Sequence, residues 1–211
     1  WESEAGKNLT LSILLKPAFL KPDEQFSLSK AIALAVLDFV TSILTPTSQL
    51  SVERGAVKIK WPNDIYIGNK KVAGILIENS VSGNFLSHSV VGIGININQE
   101  NFSAGLLNAS SLKRISGKSF ELDECMVQLC TSIEKRYMQL KSHAQTLSQK
   151  SKELDAEYLK NLYRFNELAK FTHEGETISA KITGVSPIGK LVLEKDNEGA
   201  LECEMKEIVF L

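Results

Sequence analysis

Residues 60–78 read KWPNDIYIGNKKVAGILIE. Pro62 holds Trp61 extended and removes a main-chain donor, and Asn63–Asp64 behind it is turn chemistry. Gly68–Asn69 suits a tight hairpin connection. Lys71 then opens the apolar run VAGILI, which predicts a buried strand over 71–78. An ammonium at the mouth of such a strand is costly unless it reaches water or finds an anion. Two readings stand. In one, Lys71 is a strand-end lysine whose head reaches solvent. In the other its partner is a ligand anion. Gly74 supports the second, because a residue without a side chain lets a flat ligand approach the backbone. A cation at one end of an apolar slot suits a hydrophobic small molecule with a carboxylate tail.

Working outward, AVKIK (56–60) and HSVVGIGINI (88–97) read as flanking strands, the latter joined to 71–78 through Ser82-Gly83-Asn84. NLTLSILL (8–15) is a further strand, stopped by Lys16–Pro17. Short connections without βαβ alternation predict an α+β fold: a mixed, mostly antiparallel sheet flanked by helices. KPDEQ (21–25) signals a helix entry. Leu28, Ala31, Ile32, Ala35, Val36, Phe39, Val40 and Ile43 then recur at three- and four-residue steps, predicting a helix of about five turns with one broad apolar face on the sheet. TPTS (45–48) ends it. Residues 103–120 are small and polar, with room for a short helical piece. Helical periodicity returns from Leu122 to about Leu140, with Met126, Leu129, Cys130, Ile133 and Tyr137 on one face, and a further helix is predicted over about 153–163. After Glu167, five short β-rich runs are cut by HEGE, SPIG and NEGA. They predict a small, strongly curved sheet or barrel that docks on the larger unit. The domains expected are 1–166 and 167–211.

The 211 residues are 43% hydrophobic, with a formal net charge of −1 and a pI of about 6.4. A sizeable core is affordable in composition, and no polyanion-binding surface is indicated, so DNA binding by these residues is not expected. No apolar run approaches the ~20 residues of a membrane span. No secretory signal is visible, although the chain starts at Trp1. The three cysteines, Cys125, Cys130 and Cys203, have no metal-ligand spacing and read as reduced residues of a cytoplasmic protein.

Three stretches carry candidate chemistry. In KWPND the plain reading is a β-turn over a buried Trp61. The functional reading makes the turn a pocket wall, with Asn63 and Asp64 as oxygen ligands for Mg²⁺ and Lys60 neutralising phosphate. In VVGIGININ, Gly92 and Gly94 share a strand face, and Asn96 follows in phase, giving a smooth floor with an amide rim. The GxG lacks the third glycine and helix start of a dinucleotide fingerprint, so a Rossmann site is rejected. In WESEAGKNL, Trp1 is a candidate to stack on a base, with Asn8 to hydrogen-bond near it.

Together, KWPND (60–64), KVAGILIE (71–78), GIGININ (92–98) and, more loosely, W…GKNL (1–9) resemble the catalytic region of bacterial biotin–protein ligases. The resemblance covers nearly the whole chain, trailing β unit included. It implies a biotin/lipoate ligase-like catalytic domain with a small C-terminal β-barrel. It also implies a reaction in which biotin and MgATP give biotinyl-AMP and pyrophosphate, and a lysine of a carboxyl-carrier domain takes the biotinyl group. By this similarity Lys71 is the catalytic contact to the biotin carboxylate and α-phosphate. Gly74, Leu76, Gly92 and Gly94 line the biotin slot. Trp1, Asn8, Lys60, Asn63, Asp64 and Asn96 serve ATP, with Asn63 and Asp64 nearest its Mg²⁺. A homodimer is compatible with the family. Lipoate–protein ligases or octanoyltransferases share the general layout, and a non-catalytic module holding biotin or a carrier is the third reading. The family's GRGxxGR loop and the earlier strands that contact biotin are not among these residues, so a protein beginning at Trp1 is expected to have weak or no ligase activity.

Overall fold

The computed structural model describes residues 2–44, 57–144, 150–195 and 199–211. A first sheet comprises β1 (Leu9–Leu15), β2 (Val57–Lys60), β3 (Asp64–Ile67), β4 (Lys70–Ser82) and β5 (Phe85–Ile95), in the order β1-β5-β4-β3-β2. Every pairing in it is antiparallel, and parallel contacts are limited to isolated bridges such as Ile59–Leu162. The run DIYI between the two turn signals of that stretch is a strand in its own right. The WPN turn and Gly68–Asn69 are therefore two successive hairpin connections. Gly68 takes the positive φ of +56° that such a turn requires.

Helix α1 (Gln25–Leu44) is entered through a 3-10 turn at Pro22–Glu24, where Glu24 accepts a hydrogen bond from the Lys21 main chain. On one side α1 packs against β2, β3 and β4; on the other it meets α3 (Leu122–Ala144) and α4 (Lys150–Lys160). Sandwiched this way, it is buried through the unbroken run Lys30–Leu37. One broad apolar face was too narrow an expectation: a helix covered on both sides is apolar nearly all round. By length and composition alone, Pro22–Leu44 is apolar enough to cross a membrane, yet 72% of that window is buried inside the protein. The TPTS stop signal lies outside the described residues.

The buried stripe of α3 is Cys125, Leu129, Ile133 and Leu140. Cys130 is exposed, which corrects the face expected for it: one residue beyond Leu129, it is rotated by about 100° towards solvent. Arg136 on the inner side is held by Asp38 of α1 and Glu157 of α4. Burial pushes the Cys125 thiol up to about 11, which leaves it unreactive. The short helix α2 (Leu112–Ser116) is capped by Ser111, whose hydroxyl accepts from Arg114 N, and is closed by Gly117.

The second sheet holds β6 (Leu168–His173), β7 (Glu176–Val185), β8 (Leu191–Lys195), β9 (Gly199–Cys203) and β10 (Ile208–Phe210), in the order β10-β6-β7-β8-β9, all antiparallel. These are the five β-rich runs of the sequence. One hydrophobic cluster continues from the first sheet through α1 into the second. The fold is thus α+β, two antiparallel sheets with a helical layer covering one face of the first.

Candidate active site

The opposite face of the first sheet is open, and its register builds the site. Thr10, Gly94, Gly74, Asp64 and Lys60 are successive cross-strand partners along one row. Ser12, Gly92 and Leu76 form the next. Neighbouring strands lie ~4.8 Å apart, so the two central glycines of the first row open a slot between a hydroxyl at one end and charged groups at the other. A Cβ on Gly92 would meet Leu76 only at ordinary contact, 3.7 Å from its carbonyl oxygen. The fold does not demand glycine there; the slot does.

Lys71 reaches this face through an irregularity. In a regular strand it would share the core face with Ala73 and Ile75. Instead the β3–β4 register shifts between Ile65, opposite Ala73, and Tyr66, opposite Lys71. Val72 is the extra residue, and Val72 and Ala73 are both buried. The bulge turns Lys71 outward to the side of Gly74 and Leu76, as bulges beside functional sites do. The main chain of Lys71 is held from a second direction. Its N–H donates to Asn108 O at 2.7 Å, and its carbonyl accepts from Ser110 N at 3.0 Å.

The resulting cavity, about 640 Å³, is lined by Lys60, Asn63, Asp64, Lys71, Gly74, Leu76, Gly92 and Gly94. That volume suits a small-molecule ligand. Lys71 Nζ is 2.6 Å from Asp64 Oδ1, so its partner here is a protein carboxylate. Lys60 is half-buried, and its pKa is lowered first by that burial; Asp64 opposes the shift while Lys71 and Arg164 add to it. Cations outnumber the one lining carboxylate, and the cavity favours an anion. The WPND turn is stapled to β4: the Asn63 side-chain amide donates to Ile75 O, and Ile75 N donates to Asn63 O. Trp61 is buried, and its indole N–H donates at 2.9 Å to Gly189 O in the turn between β7 and β8.

Eight of the sequence-derived residues therefore come together. Three do not. Asn8 joins its side chain to Gln99 and to Ile97 N, tying the start of β1 to the segment after β5. Asn96 lies outside the cavity: β5 ends at Ile95, so the period-two phase does not carry on to it. It is 4% exposed, and its Nδ2 donates to Ser110 O at 3.0 Å. Trp1 lies outside the described residues. The cavity is also lined by Thr10 and Ser12, by Ile208, Val209 and Phe210 of β10, and by Met205 just before it. The two hydroxyls alternate with leucines in NLTLSILL and were findable as a polar strand face. The C-terminal residues meet the site only through tertiary packing, which leaves no local signal.

No group of three or more His, Cys, Asp or Glu that could hold a metal occurs among the described residues. Asp64 with the amide of Asn63 is too small a donor set for a protein-only site. It fits a Mg²⁺ that draws most of its oxygens from phosphates.

Comparison with known proteins places this architecture. The family model described as the biotin/lipoate A/B protein ligase family matches residues 1–96, somewhat less than half of the chain. Among curated relatives, the bifunctional ligase/repressor BirA of Bacillus spizizenii is 31% identical over 151 residues, 69% of this chain and 43% of the relative. The biotin–[acetyl-CoA-carboxylase] ligase of Paracoccus denitrificans is 41% identical over 70 residues, 33% of this chain and 26% of its own. The chain thus spans less than half of these relatives. Among solved structures, the biotin protein ligase from Aquifex aeolicus in complex with biotin and ATP superposes with a TM-score of 0.73 at 26% identity, over 97% of this chain and 78% of that one. The apo form of the Aquifex enzyme gives 0.74 at 25% identity over 97% and 82%. The resemblance read from the motifs to the biotin–protein ligases is borne out.

Proposed function

We propose that the protein is a biotin–protein ligase, and that the cavity over the Gly74–Gly94 floor takes biotin with its carboxylate at Lys71. The observation that carries this reading is the bulge, which delivers one lysine to the charged end of an otherwise apolar slot. A biotin carboxylate oxygen attacks the α-phosphorus of ATP, the α–β P–O bond breaks, and pyrophosphate leaves with the electron pair. Lys71, released from Asp64 by the incoming anions, stabilises the charge that grows on the phosphate oxygens. In the second step an acceptor lysine nitrogen attacks the biotinyl carbonyl, AMP leaves, and the amine loses a proton. Lys60 serves the phosphates. Asn63 and Asp64 would hold a nucleotide-borne Mg²⁺, which would supply charge neutralisation. Asn8 and Asn96 act from behind: one braces the β1 end of the floor, the other holds Ser110 against Lys71. The small second sheet is a C-terminal domain, 167–211, that closes one wall of the cavity.

The test is incubation of this chain, and of a version extended by its upstream coding sequence, with MgATP and biotin, lipoate or octanoate. Biotinyl-AMP detected by mass spectrometry from either protein supports the reading. Lipoyl- or octanoyl-AMP instead would move the protein to the other branch of its family, and no adenylate from either would overturn the ligase reading.

A further inference from the structure

Two lysines line the main cavity, and their surroundings differ. Lys71 is paired with Asp64 at 2.6 Å. Lys60 is half-buried, which works against its charge, and the Asp64 carboxylate across the strand pair is committed to Lys71. What faces Lys60 is aromatic. Its ammonium lies 5.0 Å from the centroid of the Tyr66 ring and 4.8 Å from that of Phe210, close enough for both π-faces to attract it. Both rings are fixed from behind. Tyr66 of β3 is buried, and its ring meets that of Tyr163 with centroids 5.6 Å apart. Phe210 of β10 stands opposite Phe171 of β6 and meets that fully buried ring edge-on at 5.1 Å. The end of β10 is tied down twice more. Leu211 N donates to Lys170 O at 3.2 Å, and the Arg164 guanidinium donates to the Leu211 main-chain oxygen at 2.6 Å. Packing within the protein, rather than a ligand, has therefore placed the Phe210 ring in the cavity wall.

A carboxylate at this position would neutralise the ammonium and compete with an incoming anion. A ring attracts the cation through its quadrupole and leaves the charge in place. It also restrains a flexible four-carbon stem, whose freedom would otherwise be lost on binding. We propose that Phe210 is a positioning residue: with Tyr66 it brackets the Lys60 ammonium and holds it, still charged, for the phosphate oxygens of ATP. Through this ring the second sheet acts on the nucleotide by way of a lysine of the first. The role toward ATP rests on the ligase reading; the bracket itself does not.

Two measurements on this chain test the proposal. The first needs no ligand. Lysines are reductively methylated with isotope-labelled formaldehyde and their N-methyl signals followed by NMR, with Lys60→Arg to assign Lys60. Its signal is expected upfield of those of exposed lysines, because it lies over ring faces, and should move towards them in Phe210→Leu. A Lys60 signal among the exposed lysines in the parent would overturn the bracket. The second is calorimetric titration with MgATP and, separately, with biotin. Phe210→Leu keeps an apolar side chain but no π-face. It should weaken MgATP about five- to tenfold and change biotin by less than about twofold, while Phe210→Tyr stays within about twofold of the parent for both. In the Lys60→Met background, Phe210→Leu should have almost no further effect on MgATP. An equal loss in that background, or an equal loss for biotin, would reduce Phe210 to a structural wall and overturn the role. Should Phe210→Leu loosen the second sheet, Tyr66→Leu against Tyr66→Phe asks the same question from β3, and only the former should weaken MgATP. A parent chain that shows the upfield signal but binds no MgATP would keep the bracket and remove its role, together with the nucleotide part of the ligase reading.

Discussion

At the scale of single residues, Lys71 answers why a cation stands before an apolar run. Its type and neighbours were legible in the sequence, but its direction was not. Period-two alternation puts Lys71 on the core face with Ala73 and Ile75, and only the insertion of Val72 into the β3–β4 pairing reverses this. Whether a strand bulges depends on its partner's register, which a sequence of one strand does not contain. Asn96 shows the converse failure. The alternation that correctly put Gly92 and Gly94 on one face ran out where β5 stops. Lys71→Ala is expected to reduce biotinyl-AMP formation by about 10²–10³-fold, the range for removing one preorganised group that stabilises developing negative charge. The melting temperature should hold, because the side chain is about one-third exposed and its ion pair with Asp64 is near the surface. Initial rates and a thermal melt on the same preparation check both halves; unchanged turnover would return Lys71 to the surface-lysine reading.

At the scale of elements, the site depends on a contact between turns distant in sequence. The SPIG turn (186–189) was legible as a turn between two strands, and KWPND as a turn over a buried tryptophan. That the two meet was not legible. Gly189 stands at φ +97°, and a Cβ built there would lie 2.5 Å from the Phe26 ring. Its carbonyl accepts the Trp61 indole N–H. Phe26 packs edge-on against Tyr158, with ring centroids 5.9 Å apart, and the Tyr158 hydroxyl donates to Pro62 O at 3.2 Å. The WPND turn is therefore held by α4 and by the β7–β8 turn, and Phe26 of α1 packs behind both of those contacts. Gly189→Ala should lower stability by about 2–4 kcal/mol, adding the backbone cost of a side chain at positive φ to the overpacking of a closed contact. Shrinking the opposing ring in the Phe26→Leu background should recover part of that loss, since the steric term is shared. Urea titrations of the four proteins in this cycle measure the coupling. Strict additivity would show that Phe26 is not what reserves the position for glycine.

At the scale of the whole molecule, three layers are held together behind the site, and one arginine is bonded to two of the helices that its own packs against. Arg136 of α3 makes paired bonds at 2.7 and 3.0 Å to Asp38 of α1, and two at 2.6 Å to Glu157 of α4. Burial works against the charge on Arg136, but its hydrogen bonds to Glu157 and Asp38 outweigh this and raise its pKa. The same bonds hold the Glu157 carboxyl below its ordinary value of 4.5. Composition and periodicity could announce the three helices; they could not say that this arginine faces inward, because its carboxylate partners lie 98 and 21 residues away. Removing the clamp with Arg136→Met should cost about 2–3 kcal/mol. That is less than the ~3–5 kcal/mol for breaking a fully buried pair, because both carboxylates keep some contact with water. The pH dependence has a definite sign. A carboxylate whose folded pKa is depressed adds stability that is present above its unfolded pKa and is lost as pH falls through the folded one. The parent chain should therefore lose stability below about pH 4.5, and Arg136→Met should lose less over the same interval, since its Glu157 no longer titrates low. Denaturant midpoints of the two proteins at pH 7, 5, 4 and 3 test this: parallel curves would mean that the clamp does not contribute to the acid response, while convergence at low pH would assign that part of the response to the Arg136–Glu157 pair.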